Sequence, residues 1–135
     1  MRKERWHTII KEERVARLAT HTEQNRIHLV PVCYTYNGKD IFIGTSINSK
    51  KVKNLQVSSD ATLLIDIYQE DWSKLKGVML QGRGEVIKSG KEFEEARKQL
   101  YKKYPQYQKY AAIEEGESAI IKITPEKIIS WDYES

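Results

Sequence analysis

The chain has 135 residues, of which 31% are charged, and a formal net charge of +4 at pH 7. This length predicts a single domain, residues 1–135, that can bury a hydrophobic core without help from metals or disulfides. Cys33 is the single cysteine, which excludes an internal disulfide bond. No apolar run approaches the roughly 18 residues of a membrane span, and the basic N-terminus has no apolar signal segment. We therefore expect a cytoplasmic protein with no membrane partner.

The first predicted element is an amphipathic helix over residues 5–13, where apolar residues recur at positions i, i+3 and i+4. The next three elements are predicted as strands because Val, Ile, Thr and Tyr dominate them and turn residues separate them. These strands are residues 15–20, 26–36 and 40–44. The Asn37-Gly38 pair between the last two is a strong hairpin signal, so we expect them to pair antiparallel.

The rest of the chain mixes helices and strands. A basic helix is predicted over residues 49–57 and a helix with an aromatic core face over residues 91–104. Apolar runs and alternating patterns predict strands at residues 61–68, 76–87, 118–123 and 127–133. With six or seven strands, mostly neighbours in sequence, we predict a mainly β (α+β) fold built as a small antiparallel barrel with peripheral helices.

The segment Thr45-Ser46-Ile47-Asn48-Ser49-Lys50-Lys51 joins a predicted strand to the basic helix. Ser49 or Asn48 can cap that helix, whose first backbone N–H groups have no partner. The helix dipole and the lysine charges both favour an anion, such as a phosphate, at this end. A capped surface helix with a basic, solvated face accounts for the same residues, so the segment alone leaves both interpretations open.

No catalytic residues are predicted from the sequence pattern. The three histidines share no metal-ligand spacing with one another or with Cys33, so no metal site is predicted. Paired carboxylates such as Glu94-Glu95 fall on a predicted helix surface, where solvation is their expected role. This lack of a local acid–base or nucleophile motif favours chemistry carried by a cofactor.

Three segments, in their order along the chain, resemble the flavin-binding split barrel of the pyridoxamine 5'-phosphate oxidase class. The segment from Thr45 to Lys51 is similar to the family's Thr-x-x-x-Ser-Arg/Lys-Lys phosphate motif. Residues 28–38 resemble the hairpin whose backbone runs along the flavin ring. The sequence Pro125-Glu126-Lys127-Ile128-Ile129-Ser130-Trp131 resembles the family's Pro-x-x-Ile-x-x-Trp ending. The resemblance covers about residues 14–131.

One branch of the class is a closer match, namely the probable deazaflavin (coenzyme F-420) dependent enzymes. The segments that resemble this branch are residues 15–20, 28–32, 71–75 and 104–107. The vitamin oxidase itself fits less well, because its pattern has arginine, lysine and glutamine near His28, Cys33 and Gly77. The sequence also ends at residues 132–135 without the oxidase's Arg-x-His substrate segment. We therefore do not expect the vitamin oxidase activity.

The resemblance implies a six-stranded antiparallel split β-barrel with Greek-key topology that forms a homodimer, with cofactors bound between the subunits. The implied cofactor-binding residues are Val30, Pro31, Val32, Thr45, Ser49, Lys50, Lys51 and Trp131. The first three would present backbone groups to the ring, and the next four would hold the phosphate. Trp131 would close the cleft from the second subunit.

The expected function is an oxidoreductase that transfers a hydride between a bound cofactor and a small organic substrate. Coenzyme F-420 is favoured over FMN because the extra lysines suit its more acidic tail. A first alternative is a flavin-, deazaflavin- or haem-binding protein without turnover. The second, less favoured alternative is an oligonucleotide-binding barrel, with bases stacked on Tyr34, Tyr36, Phe42 and Tyr68. We do not expect a nucleic-acid partner.

Overall fold

The structure is a computed structural model that describes residues 1–133. Of the predicted ending at residues 132–135, Glu134 and Ser135 lie outside the described residues. The helices are α1 (Lys3–Glu12), α2 (Lys50–Val57), α3 (Lys91–Lys103) and α4 (Tyr107–Tyr110), with a 3₁₀ helix at Trp72–Lys74. The strands are β1 (Ala16–His21), β2 (Ile27–Val32), β3 (Thr35–Tyr36), β4 (Ile41–Ser46), β5 (Asp60–Ile67), β6 (Lys76–Ile87) and β7 (Ser118–Asp132).

The seven strands of the described residues form one antiparallel sheet in the order β2-β1-β5-β6-β7-β4-β3. Strands β5, β6 and β7 are consecutive neighbours, and β4 lies beside β7, which is a Greek-key order. The predicted mainly β fold, with antiparallel strands, Greek-key topology and peripheral helices, is confirmed. The number of strands differs slightly, because the resemblance implied six and the described residues form seven.

The sheet has to curl because its two edge strands are consecutive in the chain. Strand β2 ends at Val32 and β3 begins at Thr35, and three residues span at most about 11 Å. The opposite edges of the sheet therefore lie close together. Inward-facing side chains of β2, β4 and α2 accordingly share one core that contains Val32, Ile43 and Val52.

Residues 26–36, predicted as one strand, form two strands separated by Cys33 and Tyr34. The reason is that the Tyr34 backbone bonds to a side chain instead of a neighbouring strand. Its N–H donates to the Tyr104 hydroxyl at 3.2 Å, and its carbonyl accepts from the same hydroxyl at 3.1 Å. At this point the chain leaves one edge of the sheet and joins the other.

Residues 118–123 and 127–133, predicted as two strands, form the single long strand β7. Gln81 pairs with Lys127 and Gly82 with Pro125, so Glu126 is the extra residue of a β-bulge. A proline has no N–H to donate to the ladder, and the bulge accommodates it. The Thr124-Pro125 break expected from the sequence is therefore a bend within one strand.

Two hydrophobic clusters stabilise the fold. The larger fills the curled sheet and includes the buried faces of α1 and α2. The smaller lies between α3 and the other side of β4 and β7, and its members include Phe42, Phe93, Leu100, Tyr104 and Ile120. The prediction that the apolar stripe of α3 is core is confirmed. Within residues 1–133 no helix has the length and apolar character needed to cross a membrane.

Candidate functional site

The predicted phosphate segment forms the corner between β4 and α2, which we call the β4–α2 corner (residues 45–51). Ser49 is the N-cap of α2, and its hydroxyl accepts a hydrogen bond from the Val52 N–H at 3.3 Å. Lys50 is exposed and Lys51 is half-buried in the first turn. This turn contains no acidic residue, so the charge at the helix N-terminus is positive, as an anion site requires.

The surroundings of Lys51 differ from those of a fully solvated surface lysine. Burial lowers the pKa of the Lys51 amine, and no hydrogen-bond acceptor or carboxylate contacts it within residues 1–133. A half-buried ammonium group has lost part of its hydration with no protein acceptor to replace it, although its Nζ is not among the fully buried atoms and still reaches water. A phosphate at this corner would supply both the missing charge and the missing acceptors.

A cavity of about 370 Å³ adjoins the end of β4. Thr45 and Ser46 line one side of it, and Tyr107 and Ile113 line another. Burial raises the pKa of the Tyr107 hydroxyl, which therefore stays a neutral hydrogen-bond donor at physiological pH. Small-molecule sites commonly have volumes of about 300–1,000 Å³, so the corner adjoins space large enough for an organic group.

Val30, Pro31 and Val32 lie on β2, an edge strand of the sheet. An edge strand leaves alternate backbone groups unpaired on its open side. The Val32 side chain is buried and that of Val30 packs against the same core, so what these two residues offer to a ligand is mainly backbone. Their contact with a cofactor ring stays a prediction.

Strand β1 connects β2 to α2. The buried Asn54 of α2 donates from its amide to the Thr20 hydroxyl at 3.1 Å, and Thr20 is paired in register with His28 of β2. The Nδ1 atom of His28 is buried with no hydrogen-bond partner in the described chain. The sequence pattern did not single out Asn54 or Thr20. The available signal was an asparagine between Val52 and Leu55, at a position where a core-facing helix normally has an apolar residue.

Trp131 lies apart from the β4–α2 corner. It is on β7 in register with Gly77, whose lack of a side chain makes room for the indole; a Cβ there would lie 2.4 Å from the Trp131 Cζ2. Strand β4 pairs with the other end of β7, at residues 118–123. The chain by itself therefore does not bring Trp131 to the predicted phosphate site, and its contribution from a second subunit stays a prediction.

Histidine and acidic side chains form no metal centre in the part of the chain that the structure describes. No group of three or more His, Cys, Asp or Glu residues among residues 1–133 could hold a metal ion. The β4–α2 corner is built from lysines, hydroxyls and backbone N–H groups, which suit an organic anion.

Several solved structures share this fold. A conserved hypothetical protein of Mycobacterium tuberculosis is similar with a TM-score of 0.84 and 19% identity, over 98% of this chain and 85% of that protein. An FAD-binding protein of Mesorhizobium loti is similar with a TM-score of 0.79 and 17% identity, over 96% of this chain and 92% of that protein. The heme storage protein HutZ of Vibrio cholerae is similar with a TM-score of 0.77 and 14% identity, over 98% of this chain and 95% of that protein. Identities this low show a common fold only.

No curated protein matches the chain significantly in sequence. The sequence profile of the family described as Pyridoxamine 5'-phosphate oxidase matches residues 3–132. The match spans the chain from α1 to the end of β7, including the β4–α2 corner and Trp131. The protein therefore belongs to the pyridoxamine 5'-phosphate oxidase family.

Proposed function

We propose that the protein is an oxidoreductase that binds coenzyme F-420, in preference to FMN, and transfers a hydride between this cofactor and a small organic substrate. The observation that carries the proposal is the half-buried Lys51 amine, which has no acceptor within residues 1–133 and lies at the N-terminus of α2. Family membership supports a flavin-type occupant of the same corner.

The residues of the corner fit a cofactor phosphate. Ser49, Lys50, Lys51 and the free N–H groups of the first turn of α2 would hold it, next to Thr45 on the cavity wall. Lys53 adds a third, exposed lysine on the same short helix. The preference for the deazaflavin rests on this excess of cations, because every further anionic group of an acidic tail adds a favourable Coulomb term.

The cofactor supplies the hydride chemistry, and the chain supplies binding and orientation. The β4–α2 corner would fix the phosphate end, and the open backbone edge of β2 would orient the ring. Tyr107, kept neutral by burial, offers a hydroxyl donor in the adjoining cavity. That cavity is where we place the substrate, since it is the space next to Thr45.

The decisive measurement is a titration of the purified protein with coenzyme F-420 and with FMN at several ionic strengths. We expect tighter binding of F-420 with a steeper loss of affinity at high salt, because more charge pairs are screened. Absence of binding to both cofactors contradicts the proposal. Turnover is then measured as oxidation of the reduced cofactor by a panel of quinones and nitro compounds.

The variant Ser49→Asp separates a phosphate site from a simple helix cap. Aspartate caps a helix about as well as serine, so the thermal midpoint should not fall. Its carboxylate would repel a phosphate held at the same helix end, and we expect at least a tenfold weaker affinity, about 1.4 kcal/mol. Unchanged cofactor affinity in this variant would mean that Ser49 is only a cap.

A second candidate function is binding of a flavin or of haem without turnover. The likeness of the fold to a heme storage protein supports it. Cofactor binding without oxidation by any acceptor, or haem binding in place of flavin binding, would favour this candidate.

The oligonucleotide alternative loses two of its four stacking rings, whereas Tyr36 is half-buried and Tyr68 is 63% exposed. Tyr34 is 0% exposed and Phe42 is 7% exposed, so bases have no access to these rings.

We also propose that the protein is a homodimer. Four large apolar side chains are exposed on β2 and β7, namely Ile27, Leu29, Ile129 and Trp131. Ile129 of β7 belongs to a row of paired residues that crosses the sheet to β2. The row runs from Ile129 through Met79, Leu64 and Arg17 to Pro31. A second copy seated on this face would bury the apolar residues and place a Trp131 in a cleft between subunits.

A further inference from the structure

A second cavity, of about 470 Å³, lies between α3 and the β3–β4 hairpin, and we call it the hairpin pocket. The hairpin side consists of Thr35, Tyr36, Asn37 and Phe42, and the first turns of α3 form the opposite side. The hairpin pocket shares no residue with the β4–α2 corner or with the cavity beside it. Its volume is in the range of small-molecule sites, and the proposed cofactor function does not use it.

The floor of the hairpin pocket is apolar. Phe42 and Ala96 reach it from the smaller hydrophobic cluster and are held there by tight packing, since they are 7% and 3% exposed. Glu92 precedes Ala96 by four residues and Gln99 follows it by three, so all three lie on the same side of α3. A flat apolar group can therefore lie on the floor while a polar end reaches the carboxylate-bearing rim.

The rim carries a carboxylate that makes no ion pair with the lysines and arginines of residues 1–133. Glu92 is paired with Lys122 at 2.7 Å. Glu95, one turn along the same helix, accepts a hydrogen bond from the Gln99 amide at 3.1 Å but contacts no lysine or arginine within residues 1–133. The Glu95 carboxylate is therefore free to bind a ligand cation.

A buried carboxylate adds negative charge beside the hairpin pocket. Asp40 is 6% exposed, and its Oδ1 atom has no hydrogen-bond partner among the described residues. Its charge contributes to raising the pKa of both Tyr36 and Lys122, which places it near both. Among the residues that line the hairpin pocket, two carry carboxylates, Glu92 and Glu95, and one, Lys91, carries an ammonium group, in a chain whose net charge is +4. This locally negative site attracts cations and repels anions.

We propose that the hairpin pocket binds a small organic amine, with its apolar body on Phe42 and Ala96 and its ammonium group on Glu95. The ammonium donates to the Glu95 carboxylate in a charge-assisted hydrogen bond. An acid of the same size would place its carboxylate against Glu95 and is rejected. The apolar floor therefore selects the shape of the ligand, and the carboxylate on the rim selects its charge.

Tryptamine is the probe, and indole-3-acetate is the anionic control with the same ring system. An NMR titration of the full chain follows the backbone amides of Thr35 and Gln99, which both line the hairpin pocket. We expect tryptamine to shift these amides saturably and indole-3-acetate to leave them in place. Equal shifts with both compounds, or saturable shifts confined to another surface, would overturn the proposal.

Three variants test the charge assignment. Glu95→Gln should weaken tryptamine binding about two- to fivefold, the range of a solvent-exposed ion pair. Gln99→Lys places a cation one turn after Glu95, a pairing that stabilises helices, and should weaken binding at least as much without lowering the thermal midpoint. Glu94→Gln, on the same helix but outside the hairpin pocket, is the matched control and should bind tryptamine like the wild type. Wild-type affinity in both Glu95→Gln and Gln99→Lys refutes the assignment.

Discussion

Lys51 and Lys50 are adjacent in sequence, but the fold places them in different environments. Lys50 is exposed, whereas Lys51 is half-buried, and burial lowers the pKa of its amine. Partial desolvation without a protein partner is the physical difference between Lys51 and a fully solvated basic face, and it is what an anion site would require. A sequence pattern cannot make this distinction, because it depends on which side of the helix lies against the barrel.

We expect Lys51→Met to weaken cofactor binding by about 1.5–3 kcal/mol, the scale of a hydrogen bond to a charged group. The stability of the cofactor-free protein should not fall, because the amine has no acceptor to lose within residues 1–133. Isothermal titration gives the affinity and urea unfolding gives the stability. Lys98→Met, an exposed position on α3, is the control. Equal affinity in Lys51→Met and wild type would restore the interpretation of a plain capped helix.

Lys103 is a second lysine whose environment only the fold creates. Its Nζ donates to the Glu13 carbonyl at 2.7 Å and lies 4.0 Å from the centre of the Tyr34 ring. Burial, followed by the neighbouring Arg14 charge, lowers the pKa of Lys103 to about 8. This side chain joins the C-terminal end of α3 to the connection between α1 and β1.

The lowered pKa of Lys103 predicts a rise of stability with pH. Between about pH 8 and the ordinary lysine pKa of 10.5, the native state has released a proton that the unfolded state still holds. The free energy of unfolding then increases with pH. In Lys103→Arg the charge cannot be released, so the stability of wild type relative to this variant should rise from pH 8 to pH 10 and stay level below pH 7. Urea unfolding of the wild type and of Lys103→Arg across this pH range measures the difference. If the free energies of unfolding of the two proteins change with pH in parallel, burial does not lower the pKa of the Lys103 amine.

At the scale of elements, β6 and β7 show how glycines permit close packing. Gly82 lies at the bulge, where an added Cβ would be 2.0 Å from the backbone oxygen of Thr124. Gly84 lies two residues further, where a Cβ would be 2.7 Å from a terminal methyl carbon of Leu55 on α2. The first obstacle is backbone, and the second is the flexible end of a side chain.

We therefore expect Gly82→Ala to destabilise the protein by about 2–3 kcal/mol or more, the upper range of overpacking. Gly84→Ala should cost less, because Leu55 can change rotamer, and it is the matched control on the same strand. Chemical unfolding of the two variants measures the difference. A loss in Gly84→Ala as large as that in Gly82→Ala would mean that the bulge backbone relaxes as readily as Leu55.

Helix α2 illustrates how an element can be predicted while its attachment cannot. Its start at Ser49 followed from capping chemistry and is observed. Its contact with the barrel depends on Asn54 bonding to Thr20 and on Leu55 packing over Gly84. These partners are distant in sequence, so no local pattern could show them.

For the whole molecule, the exposed apolar face of β2 and β7 determines the expected assembly. Leu29 is 63% exposed and Ile129 is 38% exposed. Exposed apolar side chains grouped on one sheet face are typical of an interaction surface. We take a second copy of the chain as the partner, because the Trp131 needed at the predicted cofactor cleft is not brought there by its own chain.

The double variant Leu29→Glu, Ile129→Glu should be a monomer, because charges on both copies would face each other in the interface. Sedimentation velocity should give twice the 15.8 kDa chain mass for the wild type and the single chain mass for the variant. We also expect the variant to bind the cofactor more weakly. Tyr110→Glu, an exposed position on α4, is the control and should stay dimeric. A monomeric wild type that binds the cofactor would disprove the dimer.

The sequence by itself determined most of the helices and strands, the capped basic helix after the third predicted strand and the family resemblance, because these depend on local periodicity, capping and short motifs. It could not determine that residues 26–36 form two strands at opposite edges of the sheet, since the break depends on the distant Tyr104 hydroxyl. Only the tertiary structure showed the half-buried Lys51 amine, the cavity beside Thr45 and the hairpin pocket. Each of these is made by residues far apart in sequence, and burial and electrostatics arise only once the curled sheet has brought them together.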